Sequence, residues 1–275
     1  MTEHATLSIA IISGKGGVGK TNIALNLSYA LHRAKQRVLL MDCDLGLANL
    51  DVLLGIAPKC SIEQVMHNEA TLDDAVVSVE PGGFSLLPAS SGVDMLGDNS
   101  SPLRASFLGQ LNAFAKSYDY LILDVGAGIT DAVQSFALKA SMRLVVVTPE
   151  PTSLTDAYAL IKVLSSQHHV TDFYVLVNQA ESAQEEKASF SRLAAACEKF
   201  LGITLSPLGG IRHDPKMIQA VRRQEPLLKF SPTSPAGKDL VAAAVRVHKL
   251  REKTTIDPEM PLRIADGRIA DGQHA

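Results

Sequence analysis

Nine residues near the start of the chain, Ser13-Gly14-Lys15-Gly16-Gly17-Val18-Gly19-Lys20-Thr21, have the types and spacing to hold a polyphosphate. Gly14 and the triplet Gly19-Lys20-Thr21 fill every fixed position of a phosphate-binding P-loop. Many N–H groups must point inward at such a ligand, so the backbone has to curl closely, and glycines permit that. A helix opening directly after the loop adds its unpaired first-turn N–H groups and its positive dipole end. Lys20 is expected on the β- and γ-phosphates and the Thr21 hydroxyl on Mg2+. Gly14, Lys15, Gly16, Gly17, Val18, Gly19 and Asn22 complete the cradle for ATP or ADP.

Three carboxylates and one amide sit where such a site needs them. Asp124 closes the run Tyr120-Leu121-Ile122-Leu123 and precedes Val125-Gly126-Ala127-Gly128. An aspartate there is expected beside the loop, holding Mg2+ through water. Gly126 and Gly128 suit either a tight strand–helix turn or a segment that senses the γ-phosphate. Asp42 and Asp44 follow another apolar run, and two residues apart on a strand they share a face. Both could face the nucleotide, one orienting the attacking water; the same pair could equally cap the loop 45–50. Asn178 ends the run Tyr174–Val177. Its amide both donates and accepts, as an adenine edge requires, although asparagine also ends strands in turns.

Elements of alternating kind must position these groups. Apolar runs at 7–12, 37–41, 84–88, 120–124, 143–148, 173–178 and 203–211 read as strands. Helical patterns at 22–34, 102–116, 130–140, 152–166, 184–199, 214–223 and 234–252 separate them, with weaker elements up to Glu80. The expectation is an α/β fold: a mostly parallel twisted sheet with helices on both faces and the ligand beyond the carboxyl ends of the strands. At 275 residues and 46% hydrophobic content the chain can bury a full core. No internal boundary shows, so residues 1–253 are expected as one domain. The segment 254–275, with sparse apolar residues and a tandem Arg-Ile-Ala-Asp-Gly at 263–272, is expected as a disordered or loosely docked tail.

A net charge of −3 gives no global case for nucleic acid. Six cations between Arg212 and Lys238 against Asp214 and Glu225 read as a solvated surface. Three separated cysteines without metal spacing suit a reducing cytoplasm. The first residues lack a basic region and a long apolar run, which argues against a secretory leader, and no run is long enough to span a bilayer.

Lys15-Gly16-Gly17-Val18-Gly19-Lys20-Thr21 resembles the deviant Walker A loop of the MinD, ParA and nitrogenase iron-protein ATPases. Asp42-Cys43-Asp44-Leu45-Gly46-Leu47-Ala48-Asn49-Leu50-Asp51-Val52-Leu53-Leu54-Gly55, together with Thr21-Asn22, Pro88–Gly92 and Glu150–Lys162, is similar to the FleN/FlhG flagellar-number regulators. The resemblance implies a MinD-like (SIMIBI-class) P-loop NTPase with slow ATP hydrolysis. It implies a homodimer with ATP, Lys15 crossing to the facing phosphates, Asp44 positioning water, and Asp42 supporting the metal shell with Thr21 and Asp124. Asn178 would read adenine. Arg212 stands where relatives commonly have proline, and is expected on the base side or in solvent. Implied partners are the flagellar transcription activator and an SRP-type flagellar GTPase, and an implied station is the inner membrane or the cell pole. Against this stand a MinD-type division-site ATPase, a ParA-type partitioning ATPase, for which direct DNA binding is disfavoured by charge, and a metabolic P-loop enzyme. The stretch Leu240–Leu250 is amphipathic without a bulky aromatic anchor, so it reads as a core-packing last helix rather than a membrane anchor.

Overall fold

The computed structural model describes residues 5–44, 50–79, 83–89, 102–254 and 256–263. Its elements in order are β1 (Leu7–Ser13), α1 (Lys20–Arg33), β2 (Val38–Cys43), α2 (Leu50–Leu54), α3 (Ile62–Met66), α4 (Leu72–Ala75), β3 (Val77–Ser78) and β4 (Ser85–Leu87). Then come α5 (Pro102–Ala115), β5 (Tyr120–Ala127), α6 (Asp131–Lys139), β6 (Met142–Val147), α7 (Pro151–His168) and β7 (Tyr174–Ala180). The order ends with α8 (Ala183–Leu201), β8 (Ser206–Arg212), α9 (Pro215–Arg222), α10 (Leu227–Phe230) and α11 (Pro235–Arg251). The strands form one sheet in the order β3-β4-β2-β5-β1-β6-β7-β8. All pairs are parallel except β3 with β4.

Strand periodicity explains the two layers. Along β1, Leu7, Ile9 and Ile11 turn to one face and pack with α1, α10 and α11, whereas Ala10 and Ile12 turn to the other and pack with α5 to α8. Both faces are covered at the centre of the sheet, so β1, β2 and β6 are buried along their whole length and mostly apolar. The helices start where the sequence supplies caps. Thr130, Ser182 and Ser234 accept first-turn N–H bonds, and α7, α9 and α11 open with proline.

The structure differs from the sequence reading in four places. β5 runs on through Gly126 to Ala127, because Ala127 still pairs with Ser13 of β1. A short helix, α10, appears at Leu227–Phe230, held on α1 by the Leu228 N–H donating to the Asn26 side chain at 3.0 Å. Arg143 breaks the apolar run of β6 yet is buried. Its guanidinium donates to the carbonyls of Ala137, Ala140, Ser141 and Asp172 and to the Asp172 carboxylate at 2.6 Å, tying off the end of α6.

The fourth difference is at residues 256–263, which pack and hydrogen-bond against the domain. Ile256 packs on the α1/α11 layer, and Leu262 is buried in the opposite one. Between them the chain crosses beneath the amino ends of the strands. The Ser8 hydroxyl donates to the Pro261 carbonyl at 2.5 Å. The Asn112 amide both accepts from the Leu262 N–H, at 2.7 Å, and donates to its carbonyl, at 3.0 Å. The Arg263 N–H donates to the Lys139 carbonyl. The remainder of the tandem repeat, residues 45–49 and residues 90–92 lie outside the described residues.

Candidate nucleotide site

The loop 14–19 leaves the carboxyl end of β1, between β5 and β6 near the centre of the sheet, where the strand order reverses. Two glycines in it have specific work. A Cβ on Gly14 would lie 2.1 Å from the Asp156 carbonyl oxygen, so only glycine lets the loop press against α7. Gly19 has φ +93° and a Cβ there would meet the Asn178 amide at 2.4 Å. That amide donates to the Val18 carbonyl at 2.8 Å, so Asn178 braces the loop from β7. Ser13 braces it from within by donating to the Lys15 carbonyl at 2.7 Å.

Lys20 opens α1 with its side chain nearly covered, 8% exposed. Burial lowers its pKa, and the charges of Asp124 and Asp44 oppose that shift. Asp124 is buried at 2% exposure beside Lys20 and is hydrogen-bonded to the Thr21 side chain. Burial pushes its carboxyl up to about 7; Asp42 and Asp44 add to the rise, while Thr21 and Lys20 oppose it. Its Oδ1 has no hydrogen-bond partner among the described residues. A buried carboxylate with an orphan oxygen next to a threonine hydroxyl is a donor set that fits Mg2+. Among the described residues no cluster of three or more His, Cys, Asp or Glu side chains forms a metal cage. Magnesium held mainly by phosphate oxygens and water needs none.

Asp42 pairs across the sheet with Asp124, so the two carboxylates share one end of the fold. Its Oδ1 accepts the Asp44 N–H at 3.0 Å and its Oδ2 the Leu50 N–H at 3.2 Å. Asp42 thus accepts from the backbone on either side of residues 45–49, as the capping alternative expected of it. Asp44 stands against the end of β5, its carboxylate 3.5 Å from where a Cβ on Gly126 would lie. A Cβ there would make ordinary van der Waals contact with it. Gly128 continues the same corner, its N–H donating to the Ser13 carbonyl.

Beside the loop lies a cavity of about 150 Å3 lined by Gly19, Asn22, Asn178, Ile211, Met217 and Arg212, among others. Arg212 is paired within the chain. Its backbone N–H and guanidinium donate to both carboxylate oxygens of Asp239 at 2.8 to 3.0 Å, tying β8 to the first turns of α11. Asp239 raises the Arg212 pKa further.

Lys15 belongs to the loop but is held on its rim. Its ammonium donates to the Glu150 carboxylate at 2.5 Å and to the Thr152 hydroxyl at 3.0 Å, at the start of α7. The sequence reading gave Glu150 and Thr152 no role. The available signal was a carboxylate immediately before the proline that opens α7.

The ParA family model, described as NUBPL iron-transfer P-loop NTPase, matches residues 4–248. The antiactivator FleN of Pseudomonas aeruginosa is 41% identical over 244 residues, covering 89% of this chain and 87% of FleN. The flagellum site-determining protein YlxH of Helicobacter pylori is 35% identical over 228 residues, covering 82% of this chain and 76% of YlxH. Among solved structures, the septum site-determining protein MinD of Pyrococcus horikoshii, complexed with Mg-ADP, matches with a TM-score of 0.71 at 25% identity, covering 89% and 97% of the two chains.

Proposed function

The chain belongs to the ParA family of P-loop ATPases, in the group of the flagellar-number regulators, and we propose that it is an ATP-timed switch: two copies close over a pair of ATP molecules and part after hydrolysis. The observation that carries this reading is the place of Lys15. It is a cation in a phosphate loop that does not turn into its own cradle, being held outside it by Glu150 and Thr152. Exchanging that exposed pair for the phosphates of a facing copy would make nucleotide and dimer depend on each other.

The other residues then take their parts. Loop N–H groups and Lys20 bind the phosphates. Thr21 and Asp124 hold Mg2+, with Asp42 beside them fixing the ends of 44–50. The metal would neutralise charge on the phosphate oxygens. Asp44 orients water for in-line attack on the γ-phosphate, and Gly126 and Gly128 let that corner respond to its loss. Asn178 contributes an amide edge to the adenine side. The dimer would restrain the flagellar transcription activator and act with an SRP-type GTPase at the pole or the inner membrane. The names of FleN, an antiactivator, and YlxH, a flagellum site-determining protein, support a part in flagellar regulation; the GTPase and the membrane station rest on the family resemblance alone.

Asp44→Ala tests the chemistry. Calorimetry should show ATP binding kept, phosphate release lost, and the dimer persisting after ATP is added. Unchanged phosphate release would remove Asp44 from the reaction.

A further inference from the structure

A groove of about 510 Å3 runs between α1 and α11, with α10 contributing Leu228 and Lys229. On α11, Leu240, Ala243, Ala244 and Val247 are buried against the sheet layer, but Val241 and Val245 are 46% and 48% exposed and wall the groove. Val241, Val245 and Lys249 stand at successive i, i+4 positions, facing Tyr29 and Arg33 at i, i+4 on α1. Val241 to Lys249 spans about 12 Å, two helical turns. An apolar channel of that length between two helices has the footprint of a helix docked through anchors at i, i+3 or i+4, and i+7.

The lining has a sign. It holds Arg33, Lys229 and Lys249 and, among the described residues, no Asp or Glu. Cations near helix carboxyl ends are favoured in any case. Charge therefore selects the partner's polarity, while the exposed valines and the concavity select its kind. We infer that this groove docks an amphipathic helix of a partner protein, with aliphatic anchors flanked by Asp or Glu.

Residues 256–263 lead away from the groove, crossing beneath the sheet to reach α6 on the opposite layer. Arg33 lies about 20 Å along α1 from Lys20, so the groove and the phosphate loop stand at opposite ends of that helix. The inference does not depend on the switch reading, and docking should be equally tight with ADP and with a non-hydrolysable ATP analogue.

The test uses the full chain and a blocked, fluorescein-labelled, helix-forming peptide of about 18 residues, with leucines at the anchor spacing and flanking glutamates. Fluorescence anisotropy should give a dissociation constant on the order of 1–100 μM. Val245→Asp should weaken it at least about tenfold. Arg33→Glu combined with Lys249→Glu should weaken it comparably and restore binding to a peptide with lysines in place of the glutamates. Melting curves and ATP binding report whether each variant is folded. The inference is overturned by no binding at about 1 mM peptide, by equal binding of the lysine peptide to the wild type, or by no effect of Val245→Asp. It is also overturned if phosphatidylglycerol vesicles sediment the wild type and not Val245→Asp, which makes the groove a lipid contact. A fall in peptide-free solution mass on Val245→Asp overturns it too, because the occupant is then a second copy.

Discussion

At the residue scale, the two lysines of the loop do different work because their surroundings differ. Lys20 is covered and faces Asp124 and Asp44, whereas Lys15 sits on the rim with Glu150. Lys20→Ala should abolish nucleotide binding in calorimetry. Lys15→Ala should leave binding to the single chain nearly unchanged and lower turnover at least tenfold, roughly the loss of one transition-state charge contact. Equal losses of binding in the two variants would contradict the division. Asp124 has a raised, not depressed, folded pKa, so its linkage runs opposite to that of a salt-bridged acid. Between its ordinary value and about 7 the folded state holds the extra proton, and stability falls as pH rises through that window. Without nucleotide or magnesium, Asp124→Asn should melt a few degrees above the wild type at about pH 8, with the gap closing towards about pH 5. With Mg-ATP the order should reverse, since the variant loses a ligand. A gap independent of pH would contradict the buried charge.

At the element scale, what was legible followed from period and punctuation. Strands read as short apolar runs, and helices opened by Thr130, Ser182, Ser234 or a proline, were placed within a few residues. The phosphate loop was legible because its chemistry needs fixed residue types at fixed spacing. Partner choice was not. Nothing local told that Arg212 would find Asp239, or that Lys15 would find Glu150 135 residues away; for Asp42 the sequence left capping and nucleotide roles open, and the fold gives it the Asp44 and Leu50 N–H groups. The seating of the segment after α11 was hidden for the same reason, since Asn112 and Ser8 meet it only through the tertiary fold. Asn112→Ala leaves the Leu262 N–H and carbonyl without their partner and should cost roughly 2–4 kcal/mol. Denaturant melts should show that loss with unchanged ATP affinity, because the strap crosses the opposite end of the sheet. A loss of affinity without a loss of stability would place the strap in the switch instead.

At the scale of the whole molecule, the groups proposed for the nucleotide gather at the carboxyl ends of β1, β2, β5 and β7, leaving the helical groove and the seated strap elsewhere. Among the described residues no helix is long and apolar enough to cross a membrane. A single end that both binds nucleotide and carries an outward-held lysine gives ATP a way to control assembly, and assembly is the account's central claim. The most direct measurement is solution mass by light scattering, with the chain saturated first by Mg-ADP and then by a non-hydrolysable ATP analogue with magnesium. The account predicts one copy with ADP and two with the analogue, the second state disappearing in Lys15→Ala. A single copy under both nucleotides, at concentrations well above saturation, would contradict it.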